Sequence, residues 1–398
     1  MQFRTDKKSG GKLSILGMGC MRFPRNLGVT DTKEAERLIL GAIERGVNYF
    51  DTAYIYPGSE EVLGAVLAKA GARGKVSIAT KLPLVLCRSG ADFDKFFDKE
   101  LERLQTDYVD YYLMHMLTDM ALWDKFRSWG IEDWLAEKKR RGQIRQAGFS
   151  FHGQRDEFLR LLDAYPWELC QIQYNYSDEN YQAGVTGLKK AAQMGLPVVV
   201  MEPLLGGKLA GGLPPDAAAL FKQANQALSP AGWALRWLWN QSEVTVVLSG
   251  MNALGQLEEN AALAESSVPG MLTDAEHAVY REVLEVFNKS YKIHCTGCNY
   301  CMPCPKNVNI PGCFAAYNTS YSIGFVAGMQ QYMTSSVPTS DNTGRAVQCV
   351  ECGKCEKHCP QHIAIRRELK AVRRRLEPWW LRLGIGAARA FLGRKMLP

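Results

Sequence analysis

Short apolar runs alternate with segments of helical period along the first two thirds of the chain. Ile15-Leu16-Gly17-Met18-Gly19-Cys20-Met21 reads as a buried strand. Thr32 to Arg45 reads as an amphipathic helix, with Thr30, Asp31 or Thr32 as caps and Leu38, Ile39, Ala42 and Ile43 on one stripe. A second strand, Gly46-Val47-Asn48-Tyr49-Phe50, stops at Asp51, and Ser59-Glu60-Glu61 opens the next helix. Val76 to Lys81 and Tyr108 to His115 are a third and fourth strand, and a helix from Ile131 to Arg141 follows. Further strands are expected at Gln143 to Ser150, Cys170 to Asn175, Leu196 to Met201 and Val244 to Leu248. Ser229-Pro230 supplies a cap and first-turn proline for a helix through Trp239. Met1 to Leu13, with Ser-Gly-Gly at its centre, reads as a hairpin. Strands alternating with helices across short turns give parallel connectivity, and eight of them select a closed (β/α)8 barrel over an open sheet.

Three of these strands finish in a polar group: Asp51, Lys81 and His115. In a barrel the C-terminal strand ends share one mouth, so the three converge, with Tyr56 on the loop between Asp51 and the helix at Ser59. Singly, a lysine after a strand is usually solvated, and a histidine in Leu113-Met114-His115-Met116 usually packs in a core. Their common placement is what joins them. The chemistry suits carbonyl reduction. A phenol normally keeps its proton to about pH 10, but a nearby ammonium stabilises the phenolate and a carboxylate such as Asp51 can hold that ammonium in place. Tyr56 then serves as proton donor to a carbonyl oxygen that His115 orients.

At these residues the chain resembles the aldo-keto reductases. Asp51-Thr52-Ala53-x-x-Tyr56 followed by Ser59-Glu60, then Ala79-Thr80-Lys81 and Leu113-Met114-His115, match that family's Asp, Tyr, Lys, His tetrad in order and approximate spacing. The resemblance implies a TIM-type (β/α)8 barrel. It also implies a nicotinamide nucleotide, normally NADPH, bound extended without a Rossmann domain. Ser150 and Gln171 match the positions that meet the nicotinamide amide, although Phe151-His152 depart from the pattern. Met201 stands where many members stack an aromatic ring. Ser249, Gly250 and Met251, with Gln256, Glu259 and Asn260, match the segment that takes the adenosine phosphate and adenine. Gln256 occupies the place of an arginine that many members use for the 2′-phosphate, which leaves NADH open beside NADPH.

After an amphipathic helix from Thr273 to Lys289 the composition changes. Cys295-x2-Cys298-x2-Cys301-x2-Cys304-Pro305 is followed by Cys349-x2-Cys352-x2-Cys355-x3-Cys359-Pro360. The second run is the bacterial ferredoxin pattern, in which three thiolates hold one cubane and the cysteine before proline reaches the other. The first run is one residue shorter before its last cysteine. Two [4Fe-4S] clusters are expected, one on Cys295, Cys298, Cys301 and Cys359, the other on Cys349, Cys352, Cys355 and Cys304. Four-thiolate zinc is the alternative. Cys313 is a spare that could replace a ligand, whereas Cys20, Cys87 and Cys170 read as buried barrel residues. The segment from Asn309 to Arg345 has helix-like stretches near Phe314 and from Phe325 to Met333, so the small domain resembles the helical dicluster ferredoxins. A dicluster tail is known on one branch of the aldo-keto reductases. The expected organisation is therefore a barrel over 1–270, a connecting helix over 271–290, a dicluster domain over 291–365 and a basic amphipathic tail over 366–398.

Charge and composition narrow the function. Between Arg366 and Pro398, ten Lys or Arg against two Glu account for all of the net charge of +7, and nothing in the barrel suggests a nucleic-acid partner. In the tail, Trp379 and Trp380 beside arginines suit a peripheral membrane contact, and packing on its own protein or a partner while neutralising anionic clusters is the equal alternative. No apolar run of signal length follows Met1 and no stretch of some twenty apolar residues occurs, which predicts a cytoplasmic protein without a transmembrane segment. The twelve cysteines agree, since most lie in metal-type runs.

Nicotinamide gives up two electrons together and a cubane passes one. A direct circuit therefore needs a splitter such as a flavin, for which no motif is visible, or a substrate that tolerates radicals. The expected function is NAD(P)H-dependent carbonyl or alcohol oxidoreduction on a small-molecule substrate, with two clusters exchanging electrons with a redox-partner protein. The alternatives are an electron-transfer protein that uses the barrel as a scaffold, or clusters that act as staples or oxygen sensors. The loops expected to choose the substrate, Arg22 to Val29, Met116 to Gly130 and Leu204 to Pro215, carry Trp123, Phe126 and Trp129 as an expected aromatic wall.

Overall fold

The computed structural model describes residues 1–26, 29–336 and 344–378. The chain divides into two compact units. One comprises Met1–Leu205 with Ala231–Asp274, and the other Gly206–Pro230 with the chain from Ala275 onward.

In the first unit eight strands close into a barrel in sequence order. They are β1 (Leu16–Gly19), β2 (Tyr49–Asp51), β3 (Ser77–Leu82), β4 (Val109–Leu117), β5 (Ile144–Phe151), β6 (Leu169–Gln173), β7 (Val198–Met201) and β8 (Val246–Ser249), and all pairings are parallel. An antiparallel hairpin, Phe3–Thr5 with Lys12–Ser14, precedes them. Strands in such a sheet are buried on both faces, and the period of two sorts their side chains. Tyr49, Ala79, Tyr111, Leu113, Leu169, Val199, Val246 and Leu248 form the interior core. Phe50, Ile78, Tyr112, Phe149, Ile172, Val200 and Val247 pack outward with the helices. Continuing the inward alternation by one step places Asp51, Lys81, His115, Gln171 and Met201 at the barrel's C-terminal rim.

The helices around this barrel are α1 (Thr32–Glu44), α2 (Ser59–Lys69), α3 (Ala91–Leu104), α4 (Met120–Ser128), α5 (Ile131–Arg140), α6 (Arg155–Ala164), α7 (Gly184–Gln193), α9 (Pro230–Trp239) and α10 (Leu254–Ser266); α8 (Pro215–Ala224) lies in the other unit. Asp31 caps α1 by accepting from the Glu34 N–H, and Asp119 caps α4 by accepting from the Leu122 N–H. Helix α4 corrects the expected substrate wall. Trp123 and Phe126 are fully buried, Trp123 against Trp167 and Tyr165 and Phe126 against Phe93. The capped turn points their stripe at the core, where each large side chain is worth about 1.5–3 kcal/mol of burial.

The second unit is helical: α8, α11 (Asp274–Ser290), α12 (Ile310–Ser322), α13 (Phe325–Ser336), α14 (Lys354–Lys357) and α15 (Ile365–Leu376). Its core gathers Ile293, Val308, Ile310, Phe314, Tyr332, Ile365, Leu369, Val372 and Leu376. The apolar face of α15 is thus covered by its own unit, while Trp379, Trp380 and the rest of the basic tail lie outside the described residues. Two buried side chains anchor the segments that lead into the cysteine runs. Asn318 on α12 accepts from the Lys292 and Ile293 N–H groups at 3.0 and 2.9 Å and donates to the Ile293 carbonyl at 2.8 Å. Glu377, just after α15, binds the Arg345 guanidinium at 2.9 Å, accepts from the Val347 N–H at 3.1 Å and accepts from the Tyr332 hydroxyl. Among the described residues no helix is long and apolar enough to cross a membrane.

One buried acid has a measurable consequence. Glu100 on α3 is fully buried beside Tyr112 and Glu60, and neither its oxygens nor the Tyr112 hydroxyl reaches a full hydrogen bond. Burial, with Glu60 adding to it, pushes this carboxyl well above the usual range. A raised acid binds its proton more tightly folded than unfolded. Its contribution is therefore complete below the unfolded pKa, about 4.3, and is lost as pH rises toward the folded value, at up to about 1.4 kcal/mol per pH unit. Glu100→Gln should consequently gain stability relative to wild type as pH increases from 4 to 8. Chemical denaturation across that range measures the difference, and a pH-independent gap would refute it.

Candidate functional site

The rim of the barrel is set by strand register. Asp51 pairs with Gly19 on one side and Ala79 on the other, and Lys81 pairs with Leu113. Lys81 Nζ donates to Asp51 Oδ1 at 2.7 Å, Asp51 Oδ2 at 2.8 Å and the Thr52 carbonyl at 2.6 Å, and its side chain is 1% exposed. An ammonium has three donors, and here all three are used. Burial raises the Asp51 carboxyl, with Lys81 and a hydrogen bond from Gln171 pulling it back.

Tyr56 sits on a loop pinned at both ends. The Thr52 N–H reaches the Ala79 carbonyl at 2.8 Å, and Ser59 Oγ meets both Thr52 Oγ1 and the Cys20 carbonyl, at 2.7 and 3.0 Å. Tight turns join Tyr56 to Ala53 and Ser59 to Tyr56. Behind the loop, Glu60 accepts from Thr80 at 2.6 Å and from Arg103 at 3.1 Å, and the Arg103 guanidinium lies 4.4 Å from the Tyr54 ring centroid. The Tyr56 ring is held edge-on to His115, centroids 5.9 Å apart, with Lys81 Nζ 5.1 Å from its own centroid. All four predicted residues are brought together.

A bulge lies beside His115. The β4–β5 register shifts between Met114 and Leu117, Met116 takes φ 58°, and its N–H donates to Ser150 Oγ at 2.9 Å. Bulges re-aim side chains beside functional sites. Burial, followed by Lys81 and His152, holds the His115 imidazole well below its usual range, so it is neutral at physiological pH and can donate one hydrogen bond. The influence of His152 was not anticipated, because the departure of Phe151-His152 from the family pattern carried no signal of a role.

The nucleotide candidates divide into buried and exposed groups. Ser150 is buried, and its hydroxyl proton remains available after accepting from Met116. Gln171 is buried beside Asp51, and its Oε1 has no hydrogen-bond partner among the described residues. An orphaned acceptor at the rim fits the amide of a nicotinamide. Met201 is half-buried against the interior core. Asn260 Nδ2 donates to Ser249 Oγ at 3.1 Å, Met251 is buried, and Gly250, Gln256 and Glu259 are exposed, with Gln256 Oε1 accepting from the Asn252 N–H at 3.0 Å. Sequence reading missed Arg22, whose side chain packs over Gly250 and lies 3.8 Å from Glu202.

In the second unit the two cysteine runs repeat one conformation. Gly297 and Asn299 flank Cys298 with φ 69° and 65°, and Glu351 and Gly353 flank Cys352 with φ 58° and 73°. These left-handed residues turn the chain on both sides of the second cysteine of each run. The likeness continues past the fourth cysteine of each run. The Asn307 N–H returns to the Cys304 carbonyl at 2.9 Å with φ 56°, and the His362 N–H to the Cys359 carbonyl at 3.1 Å with φ 48°. The shorter spacing of the first run leaves this turn unchanged. Cys304, Cys349, Cys352 and Cys355 line one cavity of about 330 Å³, counting space open to solvent, together with Lys306, Arg366 and Leu369. Cys301 interacts electrostatically with Cys295, Cys298 and Cys359. Cys304 thus lies with the first three thiols of the second run and Cys359 with those of the first, and this donor set fits iron–sulfur clusters. Cys313 is buried elsewhere in the core, its Sγ 3.5 Å from the Gly344 carbonyl. Among the described residues no three Cys, His, Asp or Glu side chains converge on a single-ion site.

Comparison with known proteins agrees in both parts. The profile of the 4Fe-4S dicluster domain matches residues 294–364. L-galactose dehydrogenase of Arabidopsis thaliana is 29% identical over 68% of this chain and 91% of its own, and an NADH-specific methylglyoxal reductase of Escherichia coli is 26% identical over 70% and 96%. Among solved structures, the holo form of an aldo-keto reductase from Bacillus halodurans superposes with a TM-score of 0.58 at 26% identity, covering 71% of this chain and 96% of that one. The profile of the Aldo/keto reductase family matches residues 15–283, more than half of the chain, which belongs to that family of oxidoreductases.

Proposed function

We propose that the barrel, over residues 1–270, catalyses NAD(P)H-dependent reduction of a small carbonyl compound, or the reverse oxidation of an alcohol. The observation that carries this reading is the Lys81 ammonium clamped by Asp51 and Thr52 beside the Tyr56 ring and a neutral His115. When bound, the nicotinamide supplies the hydride. Tyr56 gives its hydroxyl proton to the carbonyl oxygen, Lys81 stabilises the phenolate that remains, and Asp51 holds Lys81 in place. His115 donates to the same oxygen and orients it. Gln171 Oε1 and the Ser150 hydroxyl hold the amide of the nicotinamide; Ser249, Gly250, Met251, Glu259 and Asn260 hold the adenosine half. Exposed Gln256 offers no cation to a 2′-phosphate, so NADH is accepted beside NADPH, as the name of the methylglyoxal reductase relative also suggests.

In a dicluster domain over residues 291–365, Cys295, Cys298, Cys301 and Cys359 hold one [4Fe-4S] cluster and Cys349, Cys352, Cys355 and Cys304 the other. These exchange single electrons with a redox-partner protein. Eight of the twelve cysteines stand in cluster-type runs, which suits a reducing, cytoplasmic setting.

Tyr56→Phe should lower kcat for carbonyl reduction by roughly 10²- to 10⁴-fold, the usual share of a positioned acid, with iron content unchanged; retained turnover would remove Tyr56 as the proton donor. Because the ligand sets cross between runs, Cys359→Ser should disturb the paramagnetic signal of the cluster on Cys295, Cys298 and Cys301. Cys304→Ser should disturb the other, and the reverse assignment of signals would overturn the crossing. An anaerobic titration with NADPH and then NADH, followed by electron paramagnetic resonance with flavin analysis of the same sample, tests the circuit. Cluster signals on adding nucleotide are expected if barrel and clusters share electrons. Signals that appear only with dithionite favour clusters filled by the partner.

A further inference from the structure

The segment Gly206–Pro230 follows β7 in the chain yet belongs to the cluster-bearing unit. Its first turn is built to lie close against the first cysteine run. Gly206 has φ 65°, and a Cβ there would stand 2.0 Å from the Thr296 carbonyl oxygen, next to Cys295. No side chain fits that approach, so the backbone itself makes the contact. The turn closes through Ala210 and Gly212 N–H groups donating to the Gly207 carbonyl at 3.2 and 3.1 Å, and Leu209 is fully buried beneath it.

Between these fixed points stands Lys208. It is half-buried, makes no ion pair with a carboxylate among the described residues, and interacts electrostatically with Cys295. Four thiolates give a cluster net negative charge, and a cation fixed within electrostatic reach of one of them offsets part of it.

We propose that Lys208 is the counter-charge of the first iron–sulfur cluster, held beside Cys295 by the Gly206 turn, and that it raises that cluster's reduction potential above the value the four thiolates alone would set. This rests on the reading that Cys295, Cys298, Cys301 and Cys359 hold a cluster. Reduction adds one electron and no leaving group, so the reduced cluster is one unit more negative and gains more from a fixed cation than the oxidised one. Lys208 is a positioning residue. It donates no electron and binds no iron.

The test is a dithionite titration with redox mediators on the full chain, monitored by electron paramagnetic resonance, on wild type, Lys208→Met and Lys208→Arg, each with iron and acid-labile sulfide measured. Lys208→Met should shift one of the two cluster transitions to lower potential by about tenfold in its reduction equilibrium, 59 mV for a one-electron couple. The other transition should stay in place. Lys208→Arg should restore the wild-type value. Unchanged potentials in a fully loaded Lys208→Met protein, an equal shift of both clusters, or failure of arginine to rescue would each overturn the assignment. Lys208→Met that loses iron only at the first cluster, with arginine restoring it, supports the counter-charge; loss unrescued by arginine defeats it. A wild-type protein without two cluster signals would defeat the two-cluster reading, and this inference with it.

Discussion

The rim of the barrel depends on one buried ion pair. Lys81 and Asp51 are almost completely removed from water, and an ammonium and a carboxylate each lose several kcal/mol of hydration in such a place. The loss is tolerable because no donor of the lysine is left over: two bonds go to the carboxylate and one to a main-chain carbonyl. Removing either partner would strand the other charge, at roughly 3–5 kcal/mol. The pair thereby fixes the Thr52 carbonyl, and with it the start of the loop that carries Tyr56. Its positive field also adds to burial in keeping His115 neutral. The same three hydrogen bonds thus hold the start of the loop and the cation that adds to burial at the imidazole.

The second unit solves a different problem. Cysteine thiols must be presented from several directions at once, and one left-handed residue on each side of the second cysteine of each run serves this. Such backbone is unfavourable for side chains other than glycine, and Asn299 and Glu351 occupy two of the four positions. The surrounding structure must hold them. It does so through Asn318 ahead of the first run and through Glu377 with Arg345 and Tyr332 ahead of the second. Each anchor is a buried polar side chain with several partners, so hydrogen bonds act beside packing on the unit's core in setting the loops.

The barrel was legible because its strands are short, apolar and evenly spaced, and because a period of two decides which residue of each strand end faces inward. Asp51, Lys81 and His115 follow from that rule. The interleaved helices were less visible. α3, α6 and α7 mix charge and apolar residues in stretches that do not stand out singly, and α4 was hidden inside a segment read as a loop. The aromatic residues of α4 looked like a substrate wall because composition does not distinguish a side chain facing a pocket from one facing a core. The bulge at His115 left no sequence mark either: it arises from a register shift between two strands, and register is a property of the pair. The cysteine spacing announced the two thiol sets, but the shared conformation of the two runs appears only in the dihedral angles, since Asn299 and Glu351 replace the glycines that would have signalled it.

Division of labour between the units does not follow the order of the chain. Residues 206–230 interrupt the barrel sequence and group with the cysteine-bearing unit, where Phe221 of α8 meets Tyr280 of α11 at 5.7 Å between ring centroids. A protein cut after residue 270 would keep this segment but lose Thr296, against which the Gly206 turn lies, and Tyr280, against which Phe221 packs. Exposed apolar groups of that size promote association, so poor behaviour of an isolated barrel would say nothing about whether its chemistry needs electrons from the clusters. Separating the two activities therefore requires changes at single thiols or at Tyr56 in the whole chain, where the packing of both units is kept and only the chemistry is removed.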